Sequence, residues 1–128
     1  MNAKAPGHPR LFLVAAVYNW AASLVLALFH DPILAAIHAP PLVYPAALEL
    51  FAALAFLFGV GYFWAFQDPE KNRPIIVLGT WGKITVFIIS AAHFLAGDLP
   101  GPLLAGAVGD LVFAGFFVAY LKKTSHSV

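Results

Sequence analysis

Four long apolar runs, Leu11 to Phe29, Pro45 to Phe66, Ile75 to Ala96 and Leu103 to Leu121, leave this chain few ways to fold. A helix of about 19 residues rises about 29 Å, close to the roughly 30 Å hydrocarbon core of a bilayer. Hydrophobic residues make up 62% of the sequence and charged residues 10%, whereas soluble domains carry about 25% charged residues. There is too little polar surface to wrap four such helices in water. The reading is all-α: a single polytopic membrane domain over residues 1–128, built as an antiparallel bundle of four transmembrane helices at about 11–29, 45–66, 75–96 and 103–121.

Breaks between the runs carry the expected chemistry. His30-Asp31-Pro32 is expected to end the first helix, because proline cannot donate its amide and disfavours helical geometry just before it. Ile33 to Ala36 then reads as a short interfacial turn. Pro40, Pro41 and Pro45 bracket the second start, and Tyr62 to Phe66 form an aromatic close suited to headgroup level. The polar connection Gln67 to Pro74 follows, with Pro74 placed for a first helical turn. Gly97-Asp98-Leu99-Pro100-Gly101-Pro102 is a tight turn. A signal peptide is the alternative for the first run. That run is longer than a signal core, and the small-residue neighbourhood Ile37-His38-Ala39 leads into Pro40, so an uncleaved helix is expected.

Orientation follows from basic residues. Lys4, Arg10, Lys71, Arg73, Lys122 and Lys123 fall on one side and the opposite connections hold neither lysine nor arginine, which predicts both termini in the cytoplasm and a multi-pass place in the inner (plasma) membrane. Zero cysteines exclude disulfides, thiolate metal sites and cysteine nucleophiles. No basic patch exists beyond the helix flanks, so the expected surroundings are a lipid bilayer and not nucleic acid.

Each run carries a polar anomaly: Asn19, Glu49, Lys83 and Asp110. An ammonium in mid-membrane costs at least about 2.5 kcal/mol on insertion scales, so Lys83 must find partners or water. Asn19 and Lys83 lie about 14 Å deep at 1.5 Å per residue, level with Asp110, while Glu49 lies nearer the outer surface. On their helices Lys83 shares a face with Gly79, Thr80, Phe87 and Ser90; Asp110 with Gly106, Ala114 and Phe117; Glu49 with Ala46, Ala53 and Phe56; and Asn19 with Ala15, Ser23, Leu26 and His30. Small residues mark sides where helices approach, so all four polar groups are expected to point into one interior.

Two readings of that interior compete. In one, Lys83 pairs with Asp110 and the rest is polar glue fixing helix order. In the other, one lysine against two carboxylates leaves a surplus negative charge, so Asn19, Glu49, Lys83 and Asp110 form a ligand-binding or proton-coupling set with Glu49 as the switching group. His30 and His93 are placed at an outer vestibule, where axial haem or metal ligation is an alternative to the expectation of no cofactor. Gly59-Val60-Gly61 lacks any dinucleotide fingerprint and reads as close helix packing. Ser23, Thr85 and Ser90 have no histidine placed to activate them, and no catalytic residue is assigned.

Gly61-Tyr62, Asp68 to Pro74, Gly79, Gly82-Lys83, Gly97 and Gly109-Asp110-Leu111 together resemble small bacterial four-helix integral membrane proteins over roughly the last two-thirds of the chain. In general shape the chain is also similar to the DoxX-like group and to sigma-2-type sterol-associated four-helix proteins. These resemblances imply a four-helix membrane fold and carry no activity or site. The expectation is a non-enzymatic membrane protein: an accessory subunit among other membrane-protein subunits, or a binder of a small amphipathic ligand such as a lipid-, sterol- or quinone-like molecule. A proton-coupled transporter acting as a homodimer is the alternative, with a membrane isomerase behind it.

Overall fold

The computed structural model describes residues 9–125 as four helices, α1 (Arg10–Ala36), α2 (Pro45–Gln67), α3 (Arg73–Ala96) and α4 (Gly101–Ser125). Lys4 and His8, and the tail beyond Ser125, lie outside the described residues. Each helix is long and apolar enough to cross a membrane. Only 22–28% of the most apolar stretch of each helix is buried within the chain, so its outer faces need apolar surroundings to be stable.

The end of α1 differs from expectation. The helix breaks at Phe29 (φ −127°, ψ 19°) but resumes and runs to Ala36, with Pro32 inside it. The break explains how Pro32 is tolerated. It falls in the first turn of the resumed helix, where amide groups have no intrahelical partner to lose. The segment then closes with Ala39 N–H donating to Leu34 O and His38 N–H to Ala35 O, which forces His38 to φ +58°. The same closure ends α3, with Asp98 N–H on His93 O and Gly97 N–H on Phe94 O, and there glycine takes the positive φ of 88°.

Between α2 and α3 the chain turns on its own polar side chains. Asn72 Nδ2 donates to Trp64 O and Asp68 O, and Lys71 N–H donates to the Asp68 carboxylate. Pro45 and Pro74 each occupy a first-turn position, where proline's fixed φ suits helix entry. Arg73, at the start of α3, reaches the neighbouring α4, where its Nη1 donates to Thr124 Oγ1 (2.5 Å) and its Nη2 to Leu121 O (2.9 Å) in the last turns of that helix.

The helices neighbour one another in the order α1, α2, α3, α4, with α1 packed chiefly on α2 and α3 chiefly on α4. The core is concentrated in one half: Phe12, Ala15 and Ala16 from α1, Tyr62 and Ala65 from α2, Ile76 from α3, and Phe117 and Tyr120 from α4. Phe12 meets Tyr120 edge-on at 5.0 Å and Phe117 at 5.2 Å, and Tyr62 meets Phe117 at 5.3 Å. Such tilted and edge contacts are the favoured aromatic geometries and hold the two helix pairs together at this end.

Candidate functional site

Lys83 sits at the upper limit of that core, 4% exposed. Its Nζ donates to Asp110 Oδ1 at 2.6 Å and to Asn19 Oδ1 at 3.0 Å. Asn19 in turn donates from Nδ2 to Ala55 O at 2.8 Å. The network therefore draws on all four helices. It also crosses the bundle's diagonal: the backbones of α1 and α3 do not approach each other among the described residues, and the long lysine side chain bridges them.

Aromatic rings complete the enclosure. Nζ lies 5.4 Å from the ring centre of Tyr18, 5.3 Å from Tyr62 and 5.3 Å from Phe113, one ring each from α1, α2 and α4. Ring faces attract a cation most where water is excluded. Glycine makes the enclosure possible. A Cβ on Gly79 would lie 2.5 Å from Tyr62 Cε1, and one on Gly109 would lie 2.5 Å from the Tyr18 hydroxyl. That hydroxyl donates to Gly106 O at 2.6 Å, a further tie between α1 and α4. Ser23 and Thr80 donate to carbonyls one turn back, so their buried hydroxyls are satisfied locally.

Glu49 stands apart from this network, which corrects the expectation of a single four-residue interior. The buried face of α2 is formed by Ala52, Gly59, Tyr62 and Ala65, whereas Ala46, Ala53 and Phe56, on Glu49's side, are exposed. A helix apolar all round gives no internal sign of which face turns inward. Glu49 meets His30 instead, Oε2 to Nε2 at 3.3 Å, while His30 Nδ1 faces Asp31 Oδ1 at 2.9 Å. His93 Nδ1 faces Asp98 Oδ1 at 2.9 Å. His30 is thus engaged with two carboxylates and His93 with one, and ligation of haem through His30 would require leaving one of them. The described residues hold no group of three or more His, Asp or Glu side chains placed to take a metal ion.

Three aromatic residues of this site, Tyr18, Tyr62 and Phe113, escape sequence reasoning, which points to Phe56, Phe87 and Phe117. Of these, Phe117 is buried in the core and Phe56 is 36% exposed. The available signal was Gly79, one turn before Lys83, and Gly109, next to Asp110: glycines beside a buried charge mark room for a ring.

Beyond Lys83 burial falls away. No residue of α3 from 84 to 96 is buried, none of α2 from 45 to 51, and only Leu34 of α1 from 24 to 36. The ring contacts and hydrogen bonds that join the α1–α2 pair to the α3–α4 pair all lie within a turn of Lys83 or on the core side of it. By helical periodicity Ser23, Leu26, Phe87, Ser90 and Gly106 continue the faces of Asn19, Lys83 and Asp110 into this half. A separate open cleft of about 380 Å³ lies by Trp64, Gln67, Asp68, Lys71 and Asn72, where the polar groups serve the turn. Comparison with protein-family models, with curated proteins and with solved structures finds no match to this chain.

Proposed function

We propose that this chain is a non-enzymatic, multi-pass protein of the inner (plasma) membrane that binds a small amphipathic ligand from the outer leaflet, between its two helix pairs. In this reading the helices run antiparallel across the bilayer with both termini cytoplasmic. Arg10, Lys71, Arg73, Lys122 and Lys123 then share the cytoplasmic side. Lys83, Asp110 and Asn19 form the polar floor of the site, and His30, Glu49, His93 and Asp98 lie toward its outer rim.

The observation that carries this reading is the uneven packing. One half is closed by a dense aromatic core capped by an internally satisfied ammonium, and the other half exposes apolar helix faces beyond a polar floor. A lipid-, sterol- or quinone-like molecule matches that sequence of apolar wall and polar end. Two of the three ammonium N–H groups of Lys83 are engaged within the chain, on Asp110 and Asn19, and three aromatic rings lie around it, which favours an anchoring role for it over chemistry.

Purification of the full chain in native lipid discs, followed by native mass spectrometry, tests the proposal. A stoichiometric small amphipathic molecule that is retained by the natural chain and lost in Ser90→Trp, whose new ring would occupy the space between the pairs, supports it. A chain that carries no such molecule overturns it, and one that instead runs in a fixed larger complex transfers the reading to an accessory subunit.

A further inference from the structure

The break at Phe29 has a polar fastening beside it. Because Phe29 leaves helical geometry, the segment from His30 to Ala36 is joined to the body of α1 by a kink. The first residue past the kink, His30, holds a carboxylate oxygen against each ring nitrogen: Asp31 Oδ1 at 2.9 Å from Nδ1 and Glu49 Oε2 at 3.3 Å from Nε2. A neutral imidazole has one N–H, and an ionised carboxylate only accepts. Both contacts are hydrogen bonds only when the ring is an imidazolium. Asp31 from its own helix and Glu49 from α2 are the charged groups that face it among the described residues.

Exposure sharpens the point. The His30 side chain is 10% exposed, whereas those of Glu49 and Asp31 are 52% and 77% exposed. The ring is the most covered of the three groups, and its counter-charges are open to the surroundings. Since the carboxylates lie against opposite nitrogens, they cannot close with the ring around one ion. The arrangement suits a proton and not a metal.

We propose that His30 is a proton-operated latch: its imidazolium ties the 30–36 segment of α1 to Glu49 near the start of α2, and loss of the proton leaves one N–H to serve two carboxylates, which weakens that tie and loosens the segment about Phe29. The second ring proton is bound more tightly in the fastened form, so the fastened form gains as pH falls through the imidazole range. Leu34, the buried apolar anchor of the segment, keeps the release to a local swing. The latch does not rest on ligand binding and is read without a ligand.

With no native cysteine, paired cysteines can be introduced without background. Ala36→Cys with Ala47→Cys reports the segment against α2, and Val17→Cys with Leu57→Cys reports the core half; all four positions are exposed. Spin-label distances in liposomes are compared at about pH 5.5 and about pH 8.5, on either side of the imidazole range. The expected result is a narrow outer-pair distribution in acid that broadens in base, a core pair that does not change, and an outer pair in His30→Gln that no longer responds. An outer pair that ignores pH, or one that keeps its response in His30→Gln, overturns the latch. If the core pair reports that His30→Gln is misfolded, Glu49→Gln carries the test, and a retained response there overturns it equally.

Discussion

Lys83 Nζ stands 2.6 Å from Asp110 Oδ1, and the two residues belong to the most closely packed neighbours on that side of the bundle, α3 and α4. Removing one member of a buried ion pair leaves the other uncompensated, at a cost of about 3–5 kcal/mol. Lys83→Met is therefore expected to destabilise strongly, and Lys83→Met with Asp110→Leu to recover most of the loss. Unfolding in mixed micelles measures both. A double variant as unstable as the single one would contradict this account of the pair.

Glycines beside the aromatic enclosure separate packing from propensity. Gly79→Ala must displace Tyr62 and Gly109→Ala must displace Tyr18, so each is expected to lower the thermal midpoint. At Gly82 and Gly115 an added Cβ meets nothing within 4 Å. Alanine there is expected to be neutral or stabilising by about 0.5–1 kcal/mol through helix propensity. Thermal scans of the four variants in one detergent give the ordering.

His38 and Gly97 close two helices in the same left-handed geometry, with φ of 58° and 88°. His38→Gly is expected to stabilise and Gly97→Ala to destabilise, each by about 1 kcal/mol, because side chains other than glycine are penalised there. Opposite shifts in unfolding midpoint are the signature.

Arg73 spans two acceptors on the last turns of α4, Thr124 Oγ1 and Leu121 O. Lysine reaches as a single point and cannot hold both with the same planar fork. Arg73→Lys is expected to speed amide hydrogen exchange in residues 118–125 while leaving exchange around Lys83 unchanged. Equal protection in both proteins would show that the fork contributes nothing.

Much of the architecture was legible because bilayer-length apolar runs and proline-rich breaks are local signals. Four helices long and apolar enough to span follow directly from them. The common level of Asn19, Lys83 and Asp110 along the bundle was legible too, since a fixed rise per residue sets it, and the three meet through hydrogen bonds. Facing was not. Around α2 nearly every side is apolar, so nothing in the sequence separates the Ala52–Gly59–Tyr62 face, which turns inward, from the neighbouring face with Glu49. The continuation of α1 was hidden for a different reason. Pro32 forbids one hydrogen bond, and whether a helix ends or kinks there depends on Phe29 taking up the break, which no local motif announces.

The two ends of the buried ion pair are 27 residues apart, on consecutive helices joined by a short turn. If the four helices insert into a bilayer as proposed, lysine and aspartate would meet as α3 and α4 enter together, and would pass into lipid as a neutral pair with Asn19 of the earlier helices accepting from a second ammonium N–H. Separating α3 from α4 in time is then expected to be more harmful to insertion than lengthening the 68–72 connection.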